Sequence, residues 1–310
     1  MGTDIFTHSW LGSCPIRCLR SLRGEKMRVH KLSSLLLSAA LAACFAGNAS
    51  AASSGAVSAG EAKVRLLVSG NTDTNSAPVF RGGVEIALSP GWKTYWRYPG
   101  DAGIPPRFDW SGSENVANVE VLYPAPKRIA DGSGQSSIGY DELVIFPLRI
   151  HASDTGKPVT LKLKLTFATC EKLCIPAEAN VALAFPPDAS AELVLQDAEK
   201  RVPEKQEASK PRALAILDAK VERGKDPEGK DNRIVVKALA RTVGNLDLFA
   251  EGPDEAWTLS LPELLKNEGG HVTFAIPLQG SRLGSNDAPP KVRLTLVAGE
   301  QAVEAEIPLD

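Results

Sequence analysis

The stretch Val159-Thr-Leu-Lys-Leu-Lys-Leu-Thr-Phe167 alternates apolar and polar residues with a period of two. Successive side chains on a strand point to opposite faces, so this spacing predicts a β-strand with one face on a core and the other in water. Residues 64 to 68, 83 to 88, 119 to 123 and 143 to 150 read as strands as well. Pro and Gly clusters punctuate them at Ser89-Pro90-Gly91, Pro99-Gly100-Asp101, Pro105-Pro106 and Asp131-Gly132-Ser133-Gly134. Short strands with frequent turn signals predict an all-β fold of the sandwich kind over residues 62 to 188.

Toward the C-terminus the character changes. Residues 190 to 201 (Ser-Ala-Glu-Leu-Val-Leu-Gln-Asp-Ala-Glu-Lys-Arg) suit one amphipathic helix, and the charged, apolar-poor sequence around it makes 189 to 230 a linker. Alternation then resumes at 234 to 239, 246 to 250, 271 to 276, 292 to 297 and 302 to 307. Residues 231 to 310 are therefore expected to form a second, smaller β domain, with no internal repeat relating it to the first.

Toward the N-terminus the chain announces export. From Met27 it reads Arg28, His30 and Lys31, then an apolar run from Leu32 to Phe45, then Asn48-Ala49-Ser50-Ala51. A basic start, a short apolar run and a small-x-small site make residues 27 to 51 a secretory signal peptide. Residues 1 to 26 read as an extension upstream of the true start. A second processing route is written in Leu41-Ala42-Ala43-Cys44, which has the form of a bacterial lipobox and would make Cys44 a lipid anchor. Cleavage after Ala51, giving a soluble exported protein, is the preferred reading. Residues 1 to 51 hold six basic and two acidic residues, so the 35 basic and 37 acidic residues of the whole chain become 29 and 35. A net negative charge argues against nucleic acid as partner.

Of the five cysteines, Cys170 and Cys174 are the two beyond the leader. Four positions apart in an exported protein, they are close enough to bond without long-range folding. As a permanent staple, so small a ring contributes about 2 kcal/mol in a chain-entropy account, less than a bridge between distant strands. The segment Thr169-Cys-Glu-Lys-Leu-Cys-Ile-Pro176 comes directly after the strand quoted above, so both sulfurs fall at a sheet edge or strand-end turn that a partner can reach. Short-range exposed pairs tend to be the labile ones. Lys172 is the nearest cation in sequence. No metal is expected, because zinc takes four ligands and the sequence after the leader adds only His151 and His271, far apart. No cofactor-binding or hydrolase motif is present.

The segment Gly91-Trp-Lys-Thr-Tyr-Trp-Arg-Tyr-Pro-Gly-Asp-Ala-Gly-Ile-Pro-Pro106, then Gly139-Tyr140, then Cys170-x-x-x-Cys174-Ile-Pro resembles the periplasmic N-terminal domain of DsbD-type thiol:disulfide interchange proteins. The likeness is closest to the copper-sensitivity-suppressor, ScsB-type, branch, and residues after Lys230 resemble that branch's second sandwich more weakly. The resemblance implies an immunoglobulin-like fold and a periplasmic electron carrier. Its partners would be thioredoxin-like or disulfide-bonded proteins, with a separate inner-membrane electron conductor as source. Cytochrome c biogenesis or copper tolerance is the implied setting. Cys174 would attack the partner's disulfide, Cys170 would resolve the mixed disulfide, and Tyr95 and Arg97 would line the site. The family's shielding cap loop corresponds here to Ile129 to Tyr140, which is rich in Gly and Ser with Tyr140 as its aromatic residue. Protein-disulfide reductase activity without a cofactor is one expectation. The alternative is a non-catalytic β-sandwich binding or assembly module with a structural disulfide.

Overall fold

The structure is a computed structural model that describes residues 52–71, 79–100, 103–130, 136–154, 156–185, 192–206, 213–226, 231–241, 244–254, 257, 259–278 and 289–309. The expected signal peptide, its expected cleavage site and Cys44 lie outside the described residues. No helix among the described residues is long and apolar enough to cross a membrane.

Among the described residues twelve strands build the first sandwich. They are β1 (Ala52–Ser53), β2 (Val57–Ala59), β3 (Ala62–Asn71), β4 (Val79–Leu88), β5 (Lys93–Tyr95) and β6 (Arg107–Asp109). Next come β7 (Val116–Val121), β8 (Lys127–Ala130), β9 (Ser136–Asp141), β10 (Leu143–Ala152), β11 (Val159–Cys170) and β12 (Cys174–Phe185). One sheet runs β1-β3-β4-β10-β7 with β2 on β3, and the facing sheet runs β12-β11-β5-β9-β8 with β6 on β11. The quoted alternation decides which way β11 faces. Val159, Leu161, Leu163, Leu165 and Phe167 enter the core, while Lys162, Lys164 and Thr166 face water. Phe80, Phe146 and Phe185 fill the space between the sheets, with Phe80 and Phe185 packed edge-on at 5.4 Å.

Helix α1 (Glu192–Lys200) covers the outer face of the first sheet. Leu195 and Ala198, three positions apart, are its buried face, and Glu199 forms ion pairs with Arg81 and Arg149. Gly83 leaves the room: a methyl there would lie 2.8 Å from Leu195 Cδ2.

The second sandwich uses β13 (Glu204–Lys205), β14 (Leu214–Glu222), β15 (Arg233–Ala240), β16 (Leu246–Glu251), β17 (Glu263–Glu268), β18 (His271–Pro277), β19 (Lys291–Ala298) and β20 (Gln301–Pro308). Its sheets run β13-β20-β19-β16 and β14-β15-β18-β17 around a separate core that includes Ile234, Val236, Phe274 and Leu294.

The linker differs from the sequence reading. Leu214–Glu222, assigned above to the charged linker, is a strand paired with β15 from Leu214↔Ala240 to Glu222↔Arg233. A bulge between Ile216 and Asp218 breaks the register and leaves Leu217 out in solvent. The extra residue shifts the inward positions from Leu214 and Ile216 to Ala219, so the period-two signal disappears although the strand is there.

Candidate functional site

Strand β11 ends at Cys170, β12 begins at Cys174, and Glu171, Lys172 and Leu173 make the turn between them. The two strands pair without interruption from Val159↔Phe185 to Cys170↔Cys174. The cysteines are therefore the last directly opposed pair of a long hairpin, with Cα atoms 4.1 Å apart and the sulfurs joined in a disulfide. Residues 159 to 167 with odd numbers face the core, so Ala168 and Cys170 face outward.

The two sulfurs do not share one environment. Cys170 is buried (1% exposed), while Cys174 is exposed. Tyr95 makes the difference. Its strand, β5, lies against the end of β11 with Lys93 opposite Cys170, and the tyrosine packs with Ala168 and Cys170 in a small cluster of its own. The Tyr95 hydroxyl is 2.9 Å from Cys170 Sγ and 3.0 Å from Cys174 Sγ. On the inner face of the same strand the Thr94 hydroxyl donates to the Ala168 carbonyl at 2.9 Å, which pins β5 to β11.

Glycines let the backbone close around this tyrosine. A methyl on Gly103 would fall 2.5 Å from Tyr95 Cε1, so the chain at 103 lies directly against the ring. A methyl on Gly139 would fall 2.0 Å from the Thr94 carbonyl oxygen, where β9 pairs with β5. Only glycine fits either place.

The remaining residues singled out from the sequence fall elsewhere. Lys172 is exposed at the hairpin tip. Tyr140 points inward: its hydroxyl donates to the Pro124 carbonyl at 2.8 Å and its ring meets Phe146 at 5.3 Å. Burial holds its phenol well above the ordinary tyrosine range. Tyr140 therefore does not stand over the cysteines, because its place on β9 opposite Thr94 shares the inward parity of the core. Arg97 turns to the second sandwich. Its guanidinium makes paired hydrogen bonds to Glu251, bonds Glu304 as well, and lies over the Trp96 ring at 4.5 Å. Burial would lower its pKa, but the bonds and charges of the two glutamates outweigh that and raise it. Nearby, Arg128 grips Asp247 and the Pro262 carbonyl, Tyr98 bonds Leu259, and Trp96 meets Phe249 edge-on at 5.9 Å. Strand β5 and its continuation thus carry Tyr95 at the disulfide and Arg97 at the second sandwich, two residues apart. Among the described residues no group of three or more His, Cys, Asp or Glu is placed to hold a metal ion.

Residues 69–186 match the family described as thiol:disulfide interchange protein DsbD, N-terminal. This segment is similar to a DsbD-type N-terminal domain. The crystal structure of the N-terminal periplasmic domain of ScsB from Proteus mirabilis shares the fold of the longer chain. The two align with a TM-score of 0.65 at 20% identity, over 84% of this chain and 99% of that one. That likeness spans both sandwiches and the helix between them. No curated protein sequence matches the chain.

Within the matched segment, sequence reasoning passed over Lys93 and Gly103. Lys93 alternates in parity with Thr94 and shares the outward face of Tyr95 and Cys170, a relation that depends on strand register and cannot be read before the pairing is known. Gly103 lies in the segment from Gly91 to Pro106, and only the packing explains why a side chain is excluded there.

Proposed function

We propose that this chain is a periplasmic thiol–disulfide exchange protein working through Cys170 and Cys174. The observation that supports it best is the asymmetry of the pair: an exposed Cys174 joined to a buried Cys170 beside a phenol hydroxyl. A partner can reach only the exposed cysteine, and access decides which sulfur is attacked.

In the reduced chain the Cys174 thiolate attacks a partner's disulfide. A bond forms between Cys174 Sγ and one partner sulfur, and the other partner sulfur leaves as thiolate. Cys170 thiolate then attacks Cys174 Sγ, the Cys170–Cys174 bond re-forms, and the second partner thiolate departs. The partner gains two electrons and this chain loses two. Recharging runs the same steps backward: an incoming thiolate attacks Cys174 Sγ and Cys170 leaves. The partners on both sides are disulfide- or dithiol-bearing proteins of thioredoxin type, one of them fed from the inner membrane. Exposed Leu173 and Ile175 flank Cys174 and would supply apolar contact to such a partner.

Cys170→Ala lacks the resolving thiol and is expected to accumulate mixed disulfides in the periplasm, while Cys174→Ala does not. Neither substitution is expected to lower stability by more than about 2 kcal/mol, since the ring closed by the disulfide is short. If neither variant traps a partner and loss of the disulfide unfolds the domain, the pair is a structural staple and the chain a binding or assembly module.

A further inference from the structure

When the disulfide opens, negative charge appears on Cys170, a buried sulfur. Burial disfavours a thiolate, so the site works only if something offsets that penalty. Tyr95 offers one hydrogen bond but no charge. The cations around the pair can be sorted by what holds them. Arg97 is taken by Glu251 and Glu304, Lys127 pairs with Asp141 at 2.5 Å, and Lys164 pairs with Glu178 at 3.3 Å. Lys172 is exposed at the turn, where water screens it. Arg107 lies on β6 opposite Thr166, four residues along β11 from Cys170.

Lys93 differs from all of these. It stands directly across the β5–β11 ladder from Cys170 and is 7% exposed. Opposed residues in an antiparallel pair project on the same face with Cβ atoms about 5 Å apart. Among the described residues no carboxylate forms an ion pair with it. The carboxylates that face this corner are otherwise placed: Asp141, across β9 from Lys93, is held by Lys127, and Glu171 lies beside Gly91. A lysine whose stem is covered by sheet packing, on the same face of the ladder as a buried cysteine and directly opposite it, is an arrangement that favours the charged form of that sulfur.

We propose that Lys93, and not Lys172, is the positioning cation that stabilises Cys170 as a thiolate, the leaving group in recharging and the resolving nucleophile in discharge. This rests on the exchange reading above, but its test needs no partner. The single-thiol variant Cys174→Ala leaves Cys170 to titrate alone, tracked by ultraviolet thiolate absorbance against pH. Adding Lys93→Met, which keeps the unbranched stem, is expected to raise the Cys170 pKa by about one unit or more. Lys93→Arg is expected to restore it, and Lys172→Met to leave it in place. Lys93→Gln gives the same comparison should the methionine variant not fold. An unchanged pKa in the folded Lys93 variants overturns the proposal. So does a raised pKa that arginine fails to restore, because packing and not charge would then be the cause. Success here with no trapped partner in the periplasm would sink the exchange reading alone, and the reverse result would sink only the role of Lys93.

Discussion

Arg97 and Glu251 form a two-pronged hydrogen-bonded ion pair across the junction of the two sandwiches, with N–O distances of 2.7 and 2.9 Å. Glu304 brings a second carboxylate to the same guanidinium, and all three side chains are no more than 20% exposed. Removing the cation strands two acids against each other in a poorly hydrated place. Arg97→Met is therefore expected to lower stability by about 2–4 kcal/mol. Adding Glu304→Gln should recover part of that loss, since one of the two unpaired charges is gone. Urea unfolding monitored by tryptophan fluorescence measures both, and the single variant is expected to separate the unfolding of the two sandwiches. One transition with an unmoved midpoint would show that the pair does not hold the sandwiches together.

Tyr95 is buried with its ring against Gly103 and its hydroxyl on both sulfurs. Tyr95→Phe keeps the ring and deletes only the donor. A hydrogen bond to a charged group contributes about 1.5–3 kcal/mol, so reduction of the disulfide by a small dithiol is expected to slow by about tenfold or more. The rate of thiol appearance under pseudo-first-order conditions measures this. A rate equal to the parent's would mean that the hydroxyl plays no part once charge develops on sulfur.

Gly103 tests the same tyrosine from the other side. Gly103→Ala places a methyl inside the van der Waals radius of the Tyr95 ring, so either the ring or the chain at 103 must move. The expected outcome is a gain in accessibility of Cys170 with little change in secondary structure. Alkylation of the reduced protein should then lose some of its preference for Cys174. Retention of the parent's preference would show that the loop moves and leaves the ring in place.

How much of this was legible beforehand divides along physical lines. The alternation of residues 159 to 167 gave the orientation of β11 because side-chain parity on a strand is a local property. Residues 263 to 268 form β17 with every residue exposed, so no buried face marks it in the sequence. Strand β14 was hidden by a bulge. At the site, the cysteines were legible from their spacing and from Ile175-Pro176 after the second of them, and Tyr95 from the family's segment. The partnership of Arg97 with Glu251, separated by 154 residues, was not legible, because nothing in either neighbourhood encodes the other. The same holds for Lys93, whose relation to Cys170 exists only through register.

Tyr140 predicts an alkaline limit to stability. Burial is the main cause that holds its folded pKa well above the ordinary value of 10.0, with the charge of Arg97 pulling slightly the other way. Tyr123 is raised as well, again first by burial. In the unfolded chain both phenols lose their protons near pH 10, while the folded chain keeps them. Above that pH the native state binds more protons than the unfolded state, so the slope of unfolding free energy against pH is negative. The contribution is thus fully present below pH 10 and is lost as pH rises beyond it, by about 1.4 kcal/mol per pH unit for each such group. Tyr140→Phe removes one ionisation and should flatten the decline by about 1 kcal/mol between pH 10 and 11. It also leaves the Pro124 carbonyl without its 2.8 Å donor, which should lower stability at pH 7 by about 1–2 kcal/mol. The two curves are therefore expected to converge as pH rises. Parallel curves from urea unfolding across this range would mean that the Tyr140 phenol ionises as readily in the folded protein as in the unfolded chain.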